Sequence, residues 1–149
     1  MPTKGRADGQ LSALSGELFV AAELLKRGYQ TSITFGNAKA IDLLVHNPEI
    51  DRTFTVQVKT LSSPNYFLLG HDTVRKTDIY VFVLLNKPDE AVRYFVVPGR
   101  VLAAEPARFG KYFTIAKMPG IHVKHFDAMR EFSNAWHHFN HPAHSSIGD

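Results

Sequence analysis

The chain has 149 residues, with 17 Lys and Arg against 14 Asp and Glu, a net charge of +3 and no cysteine. That length supports one domain with a real core. The lack of cysteine excludes disulfides and thiolate metal centres, and no apolar run approaches the ~20 residues of a membrane span, so a cytoplasmic location without membrane contact is the expectation.

Residues 1–10 read as flexible, with Gly5, Gly9 and two cations. A helix follows, capped by Ser12 or Ser15, with Leu14, Leu18, Ala21, Ala22 and Leu25 at helical spacing. Lys26-Arg27-Gly28 ends it, cations first and then a glycine able to take positive φ. Strands are expected over 29–34, 40–46 and 52–61, separated by Gly36-Asn37-Ala38 and by Asn47-Pro48. Tyr66 to Leu69 is a short strand. Asp78 to Leu85 is apolar enough to be the central buried strand, and Val92 to Val97 pairs back on it. Pro98-Gly99-Arg100 opens a short helix through Ala104. Tyr112 to Ala116 reads as a strand, and Phe126 to Phe139 as a last helix with Met129, Phe132, Ala135 and Trp136 on one face. Residues 1–140 form the expected domain and 141–149 a disordered tail. Helices alternating with strands imply an α/β fold around a central mixed sheet.

Two of these strands carry polar residues that such strands do not normally hold. Asp42 sits amid Ile41, Leu43, Leu44 and Val45. Gln57 and Lys59 alternate with Val56 and Val58, so both point to one face. Burying a carboxylate, an amide and an ammonium costs several kcal/mol unless they are paired or bind something. The cluster therefore marks a functional site.

Glu17 on the first helix, Asp42 on a strand and Gln57-Val58-Lys59 on the next strand resemble the PD-(D/E)XK nuclease superfamily. Gly16-Glu17 with Ala21, Leu25 and Gly28-Tyr29 looks like its opening helix. Ala40 to Val45 looks like its metal-ligand strand, and Val56-Gln57-Val58-Lys59-Thr60 like its catalytic strand. The resemblance spans residues 11–97. Ile41 stands where a proline is usual, and Gln57 where a second acid is usual. A Q-x-K form occurs in some members, including group I intron homing endonucleases.

The resemblance implies a restriction-endonuclease-like three-layer fold, its mixed sheet flanked by helices. It implies a Mg²⁺-dependent (or Mn²⁺-dependent) endonuclease that hydrolyses phosphodiester bonds, in DNA rather than RNA, acting as a homodimer or homotetramer. Asp42, Gln57, the Val58 carbonyl and Glu17 would form the metal shell, and Lys59 would stabilise charge. A catalytically inactive nucleic-acid-binding module of the same fold is the alternative, and Gln57 favours it.

Each residue also has a plainer reading. Asp42 could cap a turn or pair with Lys59, Lys59 could snorkel from a sheet edge, and Glu17 could serve the helix dipole or a capping box. Lys4, Arg6 and Lys39 are expected to contact nucleic-acid phosphate, with Arg75 and Lys76 as further cations. His137, His138, His141 and His144 read as a solvated terminus, although His137 and His141 have ligand spacing on a helix. Tyr66 and Phe67 could stack bases, but core burial is the better reading.

Overall fold

The computed structural model describes residues 6–34, 41–115 and 117–141. Strand β3 (Arg52–Leu61) is the axis of the main sheet, and its Val, Thr and Phe side chains suit a pleated surface. On one side it pairs antiparallel with β2 (Leu43–Asn47), which pairs antiparallel with β1 (Gln30–Ile33). On the other it runs parallel to β5 (Ile79–Leu84), which pairs antiparallel with β6 (Arg93–Pro98). The order β1-β2-β3-β5-β6 is the expected mixed sheet, with β5 buried along its whole length. A smaller sheet pairs β4 (Tyr66–Leu68) with β7 (Gly120–His122).

The alternation of side chains divides the core in two. On one face Leu43, Val45, Phe54, Val56, Val81 and Val96 pack against helix α1 (Arg6–Lys26) and against Trp136 and Phe139. On the other face Tyr80, Phe82, Phe95 and Val97 meet Phe67, Phe109, Phe113, Phe126 and Phe132. That layer is built by α2 (Gly99–Ala104), α3 (Lys111–Thr114), α4 (Val123–Ala128), the small sheet and the short turns between them. Burying each phenylalanine stabilises the fold by about 1.5–3 kcal/mol. Three layers result. No helix among the described residues is long and apolar enough to cross a membrane.

Several expectations need correction. Helix α1 begins at Arg6, so residues 6–10 are helical and neither Ser12 nor Ser15 caps it. Its buried face is Gly16, Val20, Ala21 and Leu24, while Leu14, Leu18 and Leu25 are exposed. Gly16 decides this choice: a Cβ there would lie 1.9 Å from Thr60 Oγ1, so only glycine lets α1 come this close to β3. Gly28, at φ 93°, ends the helix as expected. Tyr112 to Thr114 is helical, not a strand. The single helix over 126–139 is replaced by α4 and two 3₁₀ turns, 130–132 and 136–140. Asn134 breaks the run at φ 51° and donates its N–H to Tyr94 O, tying the break to the sheet. Of the expected tail over 141–149, His141 is described and its carbonyl accepts Arg52 Nη1 at 2.9 Å, while residues 142–149 and the Gly36-Asn37-Ala38 turn lie outside the described residues.

Candidate active site

Asp42 lies where β2 leaves its partner. Its N–H donates to Val56 O at 2.9 Å, and Leu43 opposite Val56 is the last register pair of β2 and β3. The next N–H of β3 on this side, that of Val58, would be left without a strand acceptor. It donates instead to Asp42 Oδ2 at 2.8 Å. The carboxylate thus replaces a ladder carbonyl, because an unmade bond at a partly buried amide is costly. Among the described residues no hydrogen bond reaches Oδ1 and no ion pair joins Asp42 to Lys59.

The same divergence exposes a second oxygen. Within a strand the N–H and C=O of one residue point to the same side. Val58 O therefore faces the side that β2 has vacated. An open carboxylate oxygen and an open carbonyl oxygen share one sheet edge.

Asp42 stands one residue before the last register pair, Leu43 with Val56, and Gln57 one residue after it. Gln57 is buried, and both of its donated bonds leave from Nε2: to Asp78 Oδ2 at 2.9 Å and to Tyr80 OH at 3.0 Å. Both partners lie on β5 or just before it, so the amide turns its nitrogen to that side. Asp78 is itself buried. It accepts from Thr55 Oγ1, and Arg75 Nε lies 3.3 Å from its Oδ2. The Tyr80 hydroxyl also receives the Arg75 N–H at 3.0 Å. Lys59, two residues on and partly buried, shares the face of Gln57 and has no ion-pair partner among the described residues.

Glu17 comes from α1, one residue after the Gly16 contact with Thr60. Burial raises the pKa of its carboxyl, and the neighbouring charge of Asp42 raises it further. Asp42, expected on a strand, lies one residue before β2, and these two acids feel one another. A capping role is excluded, since α1 starts well before Glu17.

Glu17 and Asp42 are thus neighbours, Asp42 binds the Val58 N–H, and Gln57 and Lys59 flank Val58 on the face of β3 opposite α1. Lys4 and Lys39 lie outside the described residues, and of Arg6 only the helical backbone is described. Arg75 is engaged with Asp78. Phe67 is buried in the core, while Tyr66 sets its ring edge-on to His122 at 4.7 Å. The sequence reading missed Thr55, Asp78 and Tyr80. The alternation that singled out Gln57 and Lys59 also contains Thr55, but Asp78 and Tyr80 enter only through the parallel pairing of β3 with β5.

The histidines are not simply a solvated end. Ligand nitrogens of His137, His138 and His141 lie within 4.8 Å of one another. Burial lowers the pKa of His138 to about 4, helped by the charges of His137, His141 and Arg100.

No family model matches the chain, and no curated protein matches it. Among solved structures it is similar to a bacterial homing endonuclease, I-Ssp6803I, with a TM-score of 0.53 and 18% identity over 86% of this chain and 90% of that one. At that identity the likeness is one of fold.

Proposed function

We propose that this protein is a divalent-metal-dependent endonuclease of the PD-(D/E)XK type that hydrolyses phosphodiester bonds, in DNA rather than RNA. The observation that carries the reading is the open oxygen pair, Asp42 Oδ1 and Val58 O, at an edge shared with Glu17, Gln57 and Lys59. The fold likeness to a homing endonuclease supports it.

The donor set fits a hard cation such as Mg²⁺, which takes carboxylate, carbonyl and amide oxygens and keeps several waters. Asp42, Val58 and Gln57 would hold the ion directly, and Glu17 through water. A bound ion would stabilise charge on the phosphate oxygens and lower the pKa of its water. The protein's residues do the rest. Asp42 holds its position because Val58 N–H fixes one of its oxygens. Glu17, with its raised pKa, accepts a hydrogen bond from the attacking water and orients it. Lys59 donates to the attacking oxygen and offsets negative charge as it develops. Gln57 supplies an oxygen without adding charge.

Such a centre cuts one strand, so cutting a duplex calls for two copies. The outer face of α1, with Leu11, Leu14, Leu18 and Phe19 exposed, supports a homodimer or homotetramer. A binding module without catalysis is the second reading. It is favoured by the neutral Gln57, which lowers the negative charge available to a metal.

The test is cleavage of labelled duplex, branched and single-stranded DNA, and of RNA, with Mg²⁺ or Mn²⁺, beside Asp42→Ala and Lys59→Ala. Metal-dependent products that vanish in both variants support the nuclease. Salt-sensitive DNA binding with no cleavage by the wild type supports the module.

A further inference from the structure

Gln57 can serve a metal only if its amide oxygen, not its nitrogen, is aimed at the ion. A glutamine side chain is long and rotatable, and a free amide would present oxygen and nitrogen in turn. Here it is buried and gripped from the β5 side by two groups, Asp78 Oδ2 at 2.9 Å and Tyr80 OH at 3.0 Å. Asp78 is held in turn. Its other oxygen takes Thr55 Oγ1, Arg75 Nε stands 3.3 Å from Oδ2, and its backbone carbonyl accepts Gly99 N–H at 2.7 Å. Both carboxylate oxygens are thus engaged.

We propose that Asp78 is a positioning residue of this centre: it locks the Gln57 amide with Oε1 turned toward Asp42, and it explains why position 57 is an amide and not an acid. The inference rests on the nuclease reading. The reasoning is electrostatic. A carboxylate at 57 would face the Asp78 carboxylate at hydrogen-bond distance, both buried, with the Arg75 guanidinium beside Asp78 to offset one of the two negative charges. The acid has in effect moved one strand over, and the amide relays its orientation to the metal edge. Substituting glutamate at 57 alone therefore harms the site, although an acid is usual at this position in the pattern that this chain resembles.

The experiment is a reciprocal swap. Gln57→Glu, Asp78→Asn, the double variant and Tyr80→Phe are compared with wild type in thermal midpoint without metal, in the Mn²⁺ concentration for half-maximal cleavage, and in KM for DNA. Asp78→Asn is expected to raise the Mn²⁺ requirement by about 10-fold or more, as for other groups that orient metal ligands, with KM for DNA little changed. Tyr80→Phe shifts it the same way by a smaller factor, and serves if Asp78→Asn fails to fold. Gln57→Glu alone lowers the midpoint and raises the Mn²⁺ requirement. The double variant, with one acid restored on the other strand, recovers both toward wild type.

An unchanged Mn²⁺ requirement in Asp78→Asn or Tyr80→Phe overturns the positioning role while leaving the nuclease intact. So does a double variant no better than Gln57→Glu. A wild type that neither cleaves nor binds Mn²⁺ overturns the nuclease reading itself, and the positioning role with it. A recovered midpoint would then show the pair to be structural only.

Discussion

The Asp42 carboxylate accepts the Val58 N–H at 2.8 Å, so one of its oxygens closes the end of a strand pair and the other stays open. The structural role of one oxygen is distinct from the chemical role proposed for the other. They can be separated. Asp42→Asn keeps an acceptor for Val58 and is expected to fold normally with cleavage abolished. Asp42→Ala loses both and unfolds about 1–3 kcal/mol more easily, the cost of an unsatisfied amide. Urea unfolding beside the cleavage assay reads the two effects. Equal stability of the two variants would refute the capping role.

Gly16 sets how closely α1 approaches β3. Gly16→Ala is expected to push the helix away from Thr60, costing about 1–3 kcal/mol as in other overpacked sites. Because Glu17 moves with it, cleavage falls by more than stability alone accounts for. Adding Thr60→Ala to Gly16→Ala recovers part of both, since the Thr60 oxygen nearest the added carbon is gone. A double variant as impaired as the single one would argue against this contact as the cause.

Acid should weaken the fold through His138. Its folded pKa is about 4, whereas the unfolded value is about 6.5. Above pH 6.5 the ring is neutral in both states and exerts no pull. Between pH 6.5 and 4 the unfolded chain binds a proton that the folded one refuses, so stability falls as pH falls. The loss by pH 4 is about 1–2 kcal/mol, after allowing for solvent screening of a side chain this exposed. His137, His141 and Arg100 are the charges that face it. Thermal midpoints over this range, for wild type and His138→Gln, are the measurement, and the variant should show a flatter curve.

The exposed leucines of α1 make the assembly testable. Leu14→Glu with Leu18→Glu should leave the thermal midpoint of the monomer nearly unchanged, because both side chains lie outside the core. Sedimentation of the wild type should show dimers or tetramers, and of the variant, monomers. A wild type that sediments as a monomer at tens of micromolar removes this proposal.

Much of this was legible in the sequence. The period of two over 52–61 and the apolar run over 79–84 announce strands, and the same period sets Gln57 and Lys59 on one face. Asp42 stood out because a carboxylate amid Ile41, Leu43 and Leu44 needs a reason. Other features depend on distant partners. Helix α1 has apolar residues on two faces, and only the contact of Gly16 with Thr60 decides which one is buried. The spacing of Phe126, Met129, Phe132 and Trp136 imitates a helix. These side chains instead reach the core from separate turns, because Asn134 is tied to Tyr94. Tyr112, Phe113 and Thr114 favour strand by type, yet form a helical turn that buries Phe113. The contacts of Asp78 are unreadable in the sequence, since Gln57 and Thr55 reach it only through a parallel pairing.

That parallel pairing has a kinetic side. The hairpin of β2 and β3 closes through a short turn in which Asn47 Oδ1 accepts the Glu49 N–H, and hairpins of this kind form in about 1–10 μs. The contact of Asp42 with Val58 can therefore arise early. The grip of Asp78 and Tyr80 on Gln57 must wait until the chain over 62–78 has crossed over and laid β5 beside β3, a slower, long-range closure. The centre is thus expected to assemble in two stages, its acid and carbonyl first and its amide last. A partly folded chain would hold one half of the centre in place without the other.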